Sequence, residues 1–113
     1  MTANFKVVVP NEIQIGCHKY SILFDKALTD ANVYGRRNPM LLSIRLSPDN
    51  QPSQNLVSLL HEFLHCISDH YCSDKVDEGL IDGLAEGLAQ IVQNMGIELD
   101  FSNIKHLIYP TTE

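Results

Sequence analysis

Two imidazoles four residues apart, with a carboxylate directly after the first, stand in the run His61-Glu62-Phe63-Leu64-His65. On an α-helix that spacing puts both rings on one face, a single turn apart, where they can converge on one metal ion. Zinc suits such a pair. The glutamate between them is placed to take a proton from a metal-bound water rather than to bind the metal itself. The chemistry expected of these five residues is hydrolysis at a carbonyl carbon by metal-activated water, with Glu62 as general base.

A catalytic zinc uses three protein ligands and keeps its fourth position for water, so one more donor has to come from elsewhere in the chain. His70 lies five residues beyond His65 and points about 140° away on a continuous helix. Cys72 has a suitable angle but sits about 10 Å further along the axis. Glu78 and Asp82 are spaced i, i+4 in a second helical pattern, and antiparallel packing would bring both to the rim of the histidine pair. Glu86 is another turn along and further round. Glu78 is therefore the expected third ligand.

The helix that must carry the histidines has clear ends. Ser47-Pro48-Asp49-Asn50-Gln51-Pro52-Ser53 supplies start residues, with Pro52 or Ser53 near the first turn. Leu56, Leu60, Phe63, Leu64, Ile67 and Tyr71 then fall on one stripe of a 3.6-residue period, expected to pack against a sheet. His61 and His65 lie at its border, where a half-buried metal would sit under a second helix. Cys72-Ser73-Asp74-Lys75 is expected to end this helix and cap the next. In that next helix Val76, Leu80, Leu84, Leu88, Ile91 and Met95 keep the period until Gly96 stops it. Gly79, Gly83 and Gly87 recur on it at a cost of roughly 1 kcal/mol each relative to alanine. Close approach of another helix or strand would offset that.

Upstream, Phe5-Val7-Val9, Ile13-Ile15 and Tyr20-Ile22-Phe24 alternate at period two, and Gly16-Cys17-His18-Lys19 reads as a hairpin turn. Asp25 to Pro39 reads as irregular, with room for a short strand at Val33-Tyr34. Met40 to Leu46 alternates again, Leu42, Ile44 and Leu46 sharing a face. Ile97 to Glu113 has room for a short strand or helical turn around Ile104 to Tyr109. The expectation is an α+β fold in one domain over residues 1–113, strand-rich over 1–47, with a histidine helix at about 53–71 and a glutamate helix at about 75–95.

Composition narrows the functional classes. The formal charge is −6 and the only adjacent basic pair is Arg36-Arg37, so no stripe of positive charge awaits a nucleic acid. Met1 to Pro10 is neither a signal peptide nor a membrane span, which points to a cytosolic chain without membrane partners. Cys17, Cys66 and Cys72 cannot all pair within one chain and read as reduced thiols.

His61-Glu62-x-x-His65 followed by Glu78-x-x-x-Asp82 resembles the gluzincin pattern, at the short spacing of minigluzincins. The run Glu78-Gly-Leu-Ile81-Asp82-Gly-Leu84-Ala85 also resembles the glutamate-bearing helix of ImmA/IrrE-like metallopeptidases, and short phage and prophage proteins share this organisation. The resemblance covers about residues 40 to 95, and loosely the preceding hairpin. It implies a zinc peptidase in which Glu78 is the third ligand and Asp82 hydrogen-bonds a ligand histidine. It also implies that the strand Met40 to Leu46 lines the cleft and pairs with an extended peptide or protein substrate. No downstream histidine or tyrosine matches an oxyanion partner. A zinc-stabilised binding or regulatory module with little turnover is the alternative from another class.

Overall fold

The computed structural model describes residues 5–73 and 75–109. Along the chain run β1 (Phe5–Val8), β2 (Glu12–Ile15), β3 (His18–Phe24), α1 (Lys26–Asp30), β4 (Gly35–Asn38), β5 (Ser43–Leu46), α2 (Pro52–Tyr71), α3 (Glu78–Asn94), β6 (Ile97–Asp100) and β7 (Lys105–His106). The class is α+β, as expected.

β2 and β3 form the hairpin, but its turn is two residues rather than four, because Ile15 pairs with His18. Gly16 takes φ +64°, and a Cβ there would come 3.2 Å from the His70 ring, so both backbone and packing ask for glycine. β3 is the centre of the main sheet, in the order β2-β3-β5-β4 with β7 also on β3. It runs parallel to β5, from Ser21 opposite Ser43 to Phe24 opposite Leu46, and β4 closes the sheet antiparallel to β5.

Two expectations fail here. Asp25 to Pro39 is not irregular. The Asp25 carboxylate accepts a hydrogen bond from the Ala27 N–H at 3.0 Å and caps α1, a helix too short for its period to show, and β4 follows. Of Met40 to Leu46, only the last four residues are strand. Asn38 Oδ1 accepts from the N–H groups of Met40 and Leu41 at 3.0 and 3.1 Å, and Leu42 takes φ +52°, so the first three residues are turn. With β3 on one side and β4 on the other, β5 has no free edge with which to pair a substrate.

β1 stays out of the hairpin sheet and pairs in parallel with β6 as a separate two-stranded sheet, with all four of its residues exposed. β7 falls within the stretch from Ile104 to Tyr109 where a short strand had room to form.

α2 packs on β4 and β5 with one face and on α3 with another. Tyr20, Ile22, Ile44 and Leu46 of the sheet meet Leu59 and Cys66 of α2 in the core. The buried face of α2 runs through Leu56, Leu59, Glu62 and Cys66, rotated from the expected stripe, while Ile67 and Tyr71 are exposed. The rotation escapes a hydrophobic count because Asn55, Ser58, Glu62 and Ser68 share the buried side. α3 begins at an Asp77 cap, whose carboxylate accepts from the Leu80 N–H at 2.8 Å. The expected cap at Cys72-Ser73-Asp74-Lys75 is therefore displaced, with Asp74 outside the described residues and Val76 ahead of the helix.

The expected apolar stripe of α3 is also wrong. Ile81, Ala85 and Ala89 are buried, whereas Leu80, Leu84, Leu88, Ile91 and Met95 are exposed. Both sets recur at helical spacing, and the alanines let α3 lie close enough to α2 for short acidic side chains to reach it. A Cβ on Gly83 or Gly87 would meet nothing within 4 Å, so among the described residues no other helix or strand closes on these two glycines as expected. No helix among the described residues is long and apolar enough to cross a membrane.

Candidate metal centre

His61 and His65 project from the side of α2 that meets α3, one turn apart, with their Nε2 atoms 3.1 Å from each other. Glu78, the first residue of α3, answers from the facing helix. Its Oε1 lies 3.0 Å from His61 Nε2 and its Oε2 2.8 Å from His65 Nε2. The three donor atoms lie within 4.8 Å of one another, the one such cluster of three or more His, Cys, Asp or Glu among the described residues. One turn along α3, Asp82 Oδ1 sits 3.1 Å from His61 Nδ1. An ionised carboxylate only accepts, so Asp82 places the proton of neutral His61 on Nδ1 and leaves a lone pair on Nε2. That lone pair faces a Glu78 oxygen and the other imidazole. With the proton of His65 on Nδ1 as well, three acceptors would meet at one point, an arrangement that suits a cation. Tetrahedral zinc with bonds of about 2.0–2.1 Å spaces its donors about 3.3 Å apart, close to the 3.1 Å between the two Nε2 atoms and to the 2.8 and 3.0 Å from them to the two oxygens of Glu78. The donor set fits zinc.

Glu62 is only 7% exposed, and its carboxylate lies near enough to His61 and Glu78 of the cluster, and to Arg37 and Arg36 of β4, to feel their charges. No hydrogen bond or ion pair to a described residue holds its carboxylate. Burial pushes its pKa above the ordinary carboxylate value. A charge on His61 when it is protonated, and the charges of Arg37 and Arg36, pull the other way, and Glu78 adds to the rise. Arg37 itself is fastened, its Nη2 lying 3.3 Å from Asp69 Oδ1.

No protein-family profile, curated protein or solved structure matches the chain. Its site is read from its own geometry.

The other sequence candidates lie apart from the cluster. Tyr20, its hydroxyl pKa pushed up to about 12 chiefly by burial, shares a hydrogen bond of 2.7 Å with His70 Nε2, and the His18 ring lies 5.1 Å from that of His70. Cys72 is exposed at the end of α2. Cys66 is buried in the core, its thiol pushed up to about 11 by burial, and Cys17 is exposed. Glu86 stays outside the donor cluster and lines a cavity of about 440 Å³ with Tyr34, Gly35, Ser58, His61 and Asp82.

That cavity reveals what sequence reasoning missed. β4 is the edge strand beside the histidines, and a Cβ on Gly35 would come 3.4 Å from the Ser58 side chain, so the glycine lets β4 lie against α2. The Ser47 N–H bonds Tyr34 C=O at 3.0 Å, which fixes the alternation of the ladder. Arg36 and Asn38 then bond β5, while the N–H and C=O of Gly35 and Arg37 face the open edge. The only signals in the sequence were the Val33-Tyr34 pair and the single glycine after it.

Proposed function

We propose that this protein is a zinc-dependent peptidase of the gluzincin type. The observation that carries the reading is the convergence of two Nε2 atoms and a carboxylate, with Asp82 behind His61 and the Glu62 carboxylate next along the helix. His61, His65 and Glu78 would hold the zinc, which when bound supplies a Lewis acid and a water of lowered pKa. Glu62 has no hydrogen-bond or ion-pair partner among the described residues and a raised pKa, which suits it to accept a proton from attacking water and pass it to the leaving amine. Asp82 holds the His61 ring in one tautomer and orientation, keeping Nε2 free to bind. The free edge of β4 supports a peptide over a small-molecule substrate. An extended chain can pair with Gly35 and Arg37 and pass the cavity at His61, the role that the resemblance assigned to Met40 to Leu46.

The test combines metal analysis of the purified chain with cleavage of an unbiased peptide library. About one zinc per chain, cleavage, and loss of both on His65→Ala are expected. A chain that takes up no zinc even when it is supplied would end this reading.

A further inference from the structure

Among the described residues α3 is the outermost layer at the metal centre, and only its inner face is covered. Leu80, Leu84, Leu88, Ile91 and Met95 are each 39–60% exposed along four turns. Beside this ridge run Gly79, Gly83 and Gly87, and the last two face open space within the chain. None of the three has a positive φ, so neither backbone strain nor internal packing accounts for them. The charged residues of α3 are Glu78, Asp82 and Glu86, all toward the metal side. Leu84 lies about 160° round the helix from Asp82 and from Glu86 at 100° per residue.

We infer that this face is the contact between two copies of the chain, packed α3 against α3 about a two-fold axis. The ridge and groove themselves present only Leu, Ile, Met, Gly and amide side chains, with the carboxylates of Glu78, Asp82 and Glu86 confined to the far rim of the groove, so the centre of the face suits an apolar partner. What it offers is self-complementary. The Leu80-Leu84-Leu88 ridge and the Gly79-Gly83-Gly87 groove are adjacent rows of the same i±4 spacing, so the ridge of one copy fits the groove of the other. The five exposed side chains leave about 500 Å² of apolar surface, within the range of the largest patch on a typical monomer and often functional there. Two copies would bury about 1,000 Å² from these residues alone, close to the lower bound for a specific interface before the flanking glycines and amides are added. In such a dimer both metal centres face away from the axis, and the helix bearing Glu78 and Asp82 is held on two sides.

Sedimentation of the purified protein between about 1 and 100 μM tests this, with two variants. Leu84→Glu puts a charge in the centre of the ridge. Gly83→Leu fills the groove where the chain has open space and improves helix propensity, so the variant still folds. A wild-type dimer is expected, with its dissociation constant raised at least ~10-fold by each variant while circular dichroism and zinc content stay unchanged. A wild type that stays monomeric at 100 μM overturns the inference, and so does a dimer that Gly83→Leu leaves intact.

Discussion

The two long helices meet at the metal centre from unequal footings. α2 lies between the sheet and α3, and its ligand side chains are 21% and 17% exposed. α3 buries only Ile81, Ala85 and Ala89 among its described residues, and its Glu78 and Asp82 side chains are 60% and 59% exposed. The core presets the histidine pair. The carboxylates depend on how firmly α3 stays in place, and in the proposed peptidase a bound zinc would tie the weaker helix to the stronger one.

The largest effect expected is on the side of α2. His65→Ala should lower zinc affinity by at least ~100-fold, read by competition with a chelator, because a two-ligand site remains. On α3 the losses should grade along the helix. Glu78→Ala should cost more than Asp82→Asn, for which about 10-fold is expected, and Glu86→Ala should leave affinity within about 2–3-fold. A larger loss from Glu86 than from Glu78 would break the comparison. Chelation should then show the asymmetry directly. Removing zinc should lower the melting temperature and speed amide exchange in Glu78–Asn94 well before Pro52–Tyr71. Equal protection in the two helices would mean that α3 is as firmly held as α2.

The smallest effect on the metal should come from Asp25, which belongs to neither helix. Burial alone would raise its pKa, but hydrogen bonds from the Tyr109 hydroxyl, the Ala27 N–H and Arg45 outweigh that and hold it below its ordinary value of 3.8. A depressed pKa means that the folded state binds fewer protons than the unfolded state. The stabilisation is therefore fully present above the unfolded value and is lost as pH falls through the lower folded value. Asp25→Asn should cost about 1–3 kcal/mol at pH 7, flatten the acid limb of the stability curve and leave zinc affinity unchanged.

How far the sequence could be read follows the same division. His61 and His65 were legible because i, i+4 spacing alone puts two rings together, and Glu78 because it recurs with Asp82 at the same spacing. The seating of α3 was not, since the leucine row and the Ile81-Ala85-Ala89 row have the same period and only the facing surface selects between them. Glu62 hid the buried face of α2, because a carboxylate reads as exposed. Leu42, Ile44 and Leu46 alternate as a half-buried strand should, yet alternation does not say which neighbours a strand has. Pairing put β5 inside the sheet and left the edge to Gly35 and Arg37.

The most direct measurement compares wild type with Glu62→Gln on one peptide library, with zinc content determined on the same samples. The amide has the shape of the carboxylate and cannot accept a proton, while His61, His65 and Glu78 are untouched. The variant should keep about one zinc per chain and the wild-type circular dichroism, and lose cleavage by about 10²–10⁴-fold. Cleavage by Glu62→Gln at the wild-type rate, or a zinc-loaded wild type that cleaves nothing in the library, would contradict the account.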